Sequence, residues 1–343
     1  MKQLFMLFSL CMVMSAYSQS VFVVQNQTNA SVHISLDSAL SHAVDGDYIY
    51  MPGGAFYVGN LVISKRINLI GAGHYPDSTT ATGRTYLQGD IFFVNGADFS
   101  AVQGFYLTGD INFGVDCASG DVQNIFISRV SFNNIYMSNA ASSTTNCGAS
   151  DIYIKDCQIR DDVYGAYTQN VTIETSIISG KLLYFNSNAN FNNNIFLFHG
   201  SYSTMARPLY YVSNCNFRNN IFYSPLYFST ASAGNIFYNN IFDAHNSSSG
   251  TFFNCLFDVS FTGLFEDVTN NSFSYSHDYH LTSTSVAKGA GLNGTDCGIY
   301  GGNEPFKEGA VPLNPHIQSV NIPFSTDSLG KLNVNIKVQA QDN

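Results

Sequence analysis

Six segments in the central third of the chain repeat a nine-residue pattern at intervals of 18 to 27 residues. They start at Asn124, Asp151, Asn170, Asn188, Asn214 and Gly234 and read NIFISRVSF, DIYIKDCQI, NVTIETSII, NANFNNNIF, NCNFRNNIF and GNIFYNNIF. TFFNCLF from Thr251 is a weaker seventh copy. Such a unit is too short for a helix pair, and its apolar residues alternate as in a strand. A single unit cannot bury its apolar face, so neighbouring units must stack on one another. Leucine-rich repeats are absent, and with no Trp there is no Trp-Asp blade signature. The expected fold is all-β: a right-handed parallel β-helix, a solenoid whose coils stack at about 4.8 Å. Phe and Ile at matching positions should then form ladders inside it.

The alignment also fixes which residues become neighbours. Its fifth position reads Ser128, Lys155, Glu174, Asn192, Arg218, Tyr238, and its sixth reads Arg129, Asp156, Thr175, Asn193, Asn219, Asn239. Asn tolerates left-handed backbone and satisfies backbone groups with its amide. Asn193, Asn219 and Asn239 are therefore expected to stack as a largely buried asparagine ladder in one turn. The composition agrees. The chain holds 36 Asn, 28 Gly, 28 Phe and 21 Tyr, a mixture poor in helix formers.

Both ends read as caps. Ser35-LDSALSHAV suggests a short capping helix with Ser35 as N-cap and Leu36, Ala39, Leu40 and Ala43 on its apolar face. Strands follow at Tyr48-IYM, Leu61-VI and Ile67-NLIG. Two terminal strands are expected in 314–343, packing on the helix, which itself would occupy 19–313. Residues 1–18, MKQLFMLFSLCMVMSAYS, read as a signal peptide. The expected location is thus secreted, periplasmic or at the cell surface. No later apolar run suggests a transmembrane segment.

Residues 35–73, SLDSALSHAVDGDYIYMPGGAFYVGNLVISKRINLIGAG, resemble the opening of secreted bacterial right-handed β-helix proteins of the pectin-lyase-like superfamily. Residues 280–302, HLTSTSVAKGAGLNGTDCGIYGG, resemble the closing motif of many such proteins. The resemblance implies the fold. It leaves function open, because that superfamily includes lyases, hydrolases and adhesins.

Lys and Arg total 14 against 24 Asp and Glu, a formal charge of −10, which argues against nucleic acid as partner. The leading expectation is a protein that binds a polysaccharide or other glycan. The alternatives are a polysaccharide lyase or glycoside hydrolase, and a structural or adhesive envelope protein. A lyase of this superfamily would carry a Lys or Arg base beside carboxylates that hold Ca2+. The stretch that could supply it is Lys155, Arg160, Asp161 and Asp162, with Glu174 one coil later. Lys155 or Arg160 would be the base, and Asp161 and Asp162 the cation ligands. Of the polygalacturonase-like motif set only Asp161-Asp162 is present. The bland reading of this column is a flat, solvated wall carrying a Lys155–Glu174 surface pair, and it is the one expected here. Tyr164, Tyr167, Tyr202, Arg207 and Tyr210, in or beside inserted loops, are the candidate sugar-binding residues.

His277-Asp278-Tyr279-His280 reads as structural. Six cysteines follow residue 18, without CxxC spacing, and most read as buried thiols. Cys117 and Cys147, in polar stretches, are the pair to test for a disulfide.

Overall fold

A computed structural model describes residues 21–116, 119–138, 148–186, 188–198, 208–223, 232–244, 250–313 and 315–340. The chain is a parallel β-helix with three faces per coil. Along the first face, Asp47–Tyr50, Ile67–Ile70, Ala101–Leu107, Gln123–Phe132, Ser150–Lys155, Gln169–Glu174, Asn190–Asn192, Asn216–Arg218, Asn235–Tyr238 and Gly250–Phe253 pair in succession, all parallel. The second face continues the same coils through Gln158–Ile159, Ile177–Ile178, Ile195–Phe196, Ile221–Phe222 and Ile241–Phe242. The third carries Ile111–Phe113, Ile135–Tyr136, Val163–Tyr164, Leu182–Leu183 and Leu209–Tyr210.

The register is the one the repeat alignment predicts. Lys155 faces Ser128 on one side and Glu174 on the other, and the column continues through Asn192, Arg218 and Tyr238. The sixth position is a one-residue corner between the first and second faces. Arg129, Asp156, Thr175, Asn193, Asn219 and Asn239 all have φ between 46° and 58°. A left-handed residue breaks the strand alternation. The second and fourth positions of the repeat therefore point inward before the corner, and the seventh and ninth after it. The first position is a matching corner, where Asn124, Asp151, Asn170 and Asn214 share positive φ with Gly234, whose φ is 70°.

Inside, Phe191, Phe217, Phe237 and Phe252 stack face to face at 4.7–4.8 Å. Phe196, Phe222, Phe242 and Phe257 form a second stack at 4.5–5.1 Å. In earlier coils Ile127, Ile154 and Ile173 occupy the first of these columns.

The asparagine ladder needs one correction. The fully buried amides are those of the next residue, Asn194, Asn220 and Asn240, inside the corner. Asn193 and Asn219 are buried at the corner itself, while Asn239 is half-buried. All three bond the chain that passes outside the corner, and Asn219 also bonds Asn193. Asn219 donates to Asn193 Oδ1 at 3.3 Å, whereas Asn193 and Asn239 donate to the carbonyls of Gly298 and Ala290. A corner residue turns its amide outward, so the inward position after it makes the ladder.

At the N-terminal end, α1 spans Leu36–His42, and Ser35 Oγ accepts from the Ser38 amide. Leu36, Ala39 and Ala43 are buried against the first coils. Lys65 Nζ donates to the Leu40 and Ala43 carbonyls, closing the helix C-terminus. Phe22–Gln25 pairs antiparallel with both Ala30–His33 and Asp47–Tyr50, covering the first open edge. At the far end, His316–Asn321 and Asn335–Gln339 pair antiparallel in a sheet of their own, rooted where Pro315, His316 and Ile317 line a cavity with Tyr50, Met51 and Ile70. No helix among the described residues is long and apolar enough to cross a membrane.

Candidate functional site: a cleft along the first face

The second face is not a free surface. Its outward residues Ile177, Ile195, Ile221 and Ile241 are buried beneath Phe261, Leu264, Phe265, Leu281 and Ile299. Residues 259–313 therefore fold over this face and form a second apolar core outside the coils. Their last part returns along the corner, running back toward the earlier coils. Asn239 donates to Ala290 O at 2.9 Å, Asn219 Oδ1 accepts from Leu292 N at 2.9 Å, and Asn193 donates to Gly298 O at 3.2 Å. Further back, Lys155 bonds Glu304, and Arg129 donates to Val311 O at 2.6 Å.

This strap stands beside the first face and makes a cleft of it. One cavity of 420 Å³ has Tyr153, Glu174, Asn192 and Arg218 as floor and Asn293, Thr295, Asn303 and Glu304 as wall. A second, of 390 Å³, lies between Phe126, Tyr153, Lys155 and the strap residues Pro305, Lys307 and Leu313. The two share Tyr153 and Glu304, so they form one groove parallel to the helix axis. From Phe126 to Arg218 it crosses four coil steps, about 19 Å at ~4.8 Å each. The flat wall expected from sequence is in fact a groove. The strap that walls it comes from 51 to 182 residues downstream of the corner residues it bonds, outside the repeats and beyond the reach of their alignment.

Tyr153 stacks on Phe126 at 5.5 Å, and its hydroxyl donates to Glu174. Two coils beyond Glu174, Arg218 lies over the Tyr238 ring at 5.7 Å, and Tyr238 stacks on Phe253 at 4.8 Å. The floor is thus aromatic at its Phe126–Tyr153 end and polar from Glu174 through Asn192 to Arg218. Asn192, in that polar stretch, has a buried Oδ1 with no hydrogen-bond partner among the described residues.

Lys155 lies between two carboxylates. Its Nζ is 3.5 Å from Glu174 Oε1 and is bonded to Glu304. Burial alone would lower the Lys155 pKa, but the bond to Glu304 and the charges of Asp156, Glu174 and Glu304 outweigh it and hold it above the ordinary value. That keeps the ammonium protonated and unsuited to act as a base. The same bond depresses the Glu304 carboxyl. Behind Lys155, Arg129 and Asp156 form a buried pair at 3.4 Å, with Thr175 donating to Asp156 at 2.7 Å. Burial raises the Asp156 pKa and lowers that of Arg129 despite the pairing.

The other predicted residues lie elsewhere. Arg160 belongs to the second face, where it donates to Ser131 Oγ and to the Leu107 and Thr108 carbonyls and lies 4.3 Å over Tyr106. Asp161 and Asp162 follow at the next corner, and Asp162 Oδ1 accepts from the Lys181 amide at 2.7 Å. Lys155 and Glu174 are therefore brought together, and Arg160, Asp161 and Asp162 do not join them. Among the described residues no three His, Cys, Asp or Glu side chains gather as a metal site. Asp162, one of the two carboxylates expected to hold Ca2+, is engaged by the Lys181 amide of the next coil.

Tyr164 and Tyr210 occupy the same third-face column, with Leu183 between them, and Tyr164 stacks on Tyr136 at 4.5 Å. Tyr167 is exposed just beyond that strand. Tyr202 and Arg207 lie outside the described residues, as do Cys117 and Cys147. Cys157, Cys255 and Cys297 are free thiols, and Cys215 is buried. His277 and His280 stay in the cover segment: His277 contacts Tyr279 and Thr269, and His280 is 2.7 Å from Asp278 Oδ1. Sequence reasoning missed Tyr153, Arg218 and all the strap residues. Tyr153 and Arg218 were recoverable, since both fall at outward positions of the same repeat. Comparison with protein-family models, curated proteins and solved structures finds no match to this chain.

Proposed function

We propose that this is a secreted protein that binds an extended polysaccharide along its first face without cleaving it. The observation that supports this reading is the groove. It follows the helix axis and combines the aromatic rings of Phe126 and Tyr153 with polar side chains at Glu174, Asn192 and Arg218. Aromatic faces take the apolar side of a sugar ring while side-chain amides and charges take its hydroxyls. Binding is favoured over elimination chemistry because Lys155 is held charged between Glu174 and Glu304 and Arg160 is committed elsewhere.

The test is a panel of neutral and acidic polysaccharides, read for retention and for release of unsaturated products. Retention without product release is expected, with Tyr153→Ala and Arg218→Ala each weakening it about tenfold. Unsaturated products from the parent chain, absent after Lys155→Ala, would replace this reading with the lyase one.

A further inference from the structure

The ribbon formed by His316–Asn321 and Asn335–Gln339 has two unlike faces. Its register sets Ile317 opposite Val338 and Val320 opposite Ile336, with Ser319 opposite Lys337 and Asn321 opposite Asn335. Side chains alternate along a strand, and Gln318 is the extra residue of a bulge. The first two pairs therefore share one face, which is apolar, and the last two share the other, which is polar. Ile322 and Phe324 on one arm, and Val334 and Leu332 on the other, continue the apolar spacing towards the turn. Asp327 closes that turn: its amide donates to the Lys331 carbonyl and its Oδ1 accepts from the Lys331 amide, both at 2.8 Å. The eight apolar residues are between 37 and 111% exposed. The ribbon pairs with no other strand among the described residues. Two strands alone are marginal in water, so this apolar face needs a cover.

We infer that this face joins two copies of the chain, ribbon on ribbon, in a two-fold symmetric dimer. Side chains so exposed present an apolar area on the order of 800 Å², more than the largest patch of a typical monomer and about one partner's share of a standard interface. The occupant is a second copy because the face carries no charge. The charged residues of 315–340 are Asp327, Lys331 and Lys337, the first two at the turn and the third on the polar face. An uncharged face offers no handle for choosing a partner of different chemistry. An identical face matches it in size and polarity. Two ribbons stacked about 10 Å apart enclose a dry layer and leave Ser319, Asn321, Asn335 and Lys337 in water. A lipid surface fits less well, since 315–340 contain no Trp, Tyr or Arg to anchor among headgroups.

Sedimentation equilibrium of the full chain tests the contact. The parent is expected to be dimeric at about 10 µM, within the range for interfaces of this size. Val320→Asp with Ile336→Asp should leave a monomer, because the contact would bury unpaired carboxylates. Val320→Thr with Ile336→Thr keeps the branched shape that suits a strand but puts hydroxyls into the dry layer. It should raise the dimer Kd at least about tenfold, and it decides the matter should the Asp pair disturb the ribbon itself. Ser319→Thr with Lys337→Gln, on the polar face, should leave the Kd unchanged. Circular dichroism of each variant should match the parent's, since the changed residues lie outside both cores. A parent that stays monomeric at about 100 µM overturns the inference, as does a dimer that the Thr pair does not weaken. Flotation of a monomeric parent with phosphatidylcholine vesicles would assign the face to a membrane and equally overturn it.

Discussion

Asn194 Nδ2 donates to Asn220 Oδ1 at 3.1 Å, and Asn220 Nδ2 repeats the bond to Asn240 Oδ1 at 2.9 Å. Each Oδ1 also accepts the backbone amide of the preceding coil, Asn194 N at 2.8 Å and Asn220 N at 2.9 Å. The three side chains are fully buried, so every bond here replaces one to water and leaves an orphan if broken. Asn220→Ala is expected to cost about 3 kcal/mol or more, since it strands donors on Asn194 as well as an acceptor on Phe191. Asn219→Ala, at the corner, should cost about 1–3 kcal/mol. Urea unfolding midpoints rank the two, and a larger loss at Asn219 would refute the assignment of the ladder.

Arg129 and Asp156 test whether a buried ion pair supports the corner. Burial penalises both charges, as the raised Asp156 pKa and lowered Arg129 pKa indicate. Asp156→Asn keeps a residue suited to left-handed backbone but leaves Arg129 without its counter-charge, and should cost about 3–5 kcal/mol. The double variant Arg129→Asn, Asp156→Asn copies the corner of later coils and should be at least about 1 kcal/mol less destabilised than the sum of the singles. Additive losses in chemical denaturation would show that the pair is not coupled.

His74 makes acid stability predictable. It is buried, and burial, with the charges of Arg160 and Arg84, pushes its pKa from 6.5 down to about 3. The imidazole is neutral when folded but takes a proton near pH 6.5 when unfolded. Its contribution is thus complete above pH 6.5 and is lost as pH falls towards 3, by up to about 1.4 kcal/mol per pH unit. His74→Gln should flatten the stability profile between pH 6 and 4, measured by denaturation at fixed pH values. A slope unchanged from the parent's would assign acid sensitivity to other groups.

The thiols should differ sharply in reactivity. Burial raises Cys157, Cys215 and Cys297 to about 12, whereas Cys255 is only half-buried. Among these four described thiols, alkylation of the native protein at pH 8, resolved by peptide mass spectrometry, should modify Cys255 first. The other three should label at least about a hundredfold more slowly until the chain unfolds. Early labelling of Cys157 would contradict the closed core around it.

The repeat by itself determined the coil, the register and the corner. Stacked β units can pair only by matching equivalent positions. A local pattern therefore carries the whole of the first-face ladder, down to Lys155 opposite Glu174. The capping helix was legible for the same reason: its N-cap and apolar spacing are local. The exact place of the buried amides was not. Asn193 and Asn194 look alike in sequence, and only the left-handed corner decides which of them turns inward. The groove was also beyond reach, because residues 259–313 have no repeat to place them. One sign of them was present: the eighth position of the repeat is Ile in Ile177, Ile195, Ile221 and Ile241, apolar where a solvent-facing strand residue would be polar. That pattern requires a cover over the second face but does not say which segment supplies it. Only tertiary packing brings the strap back along the corner, where Glu304 meets Lys155 and turns a charged wall into a cleft.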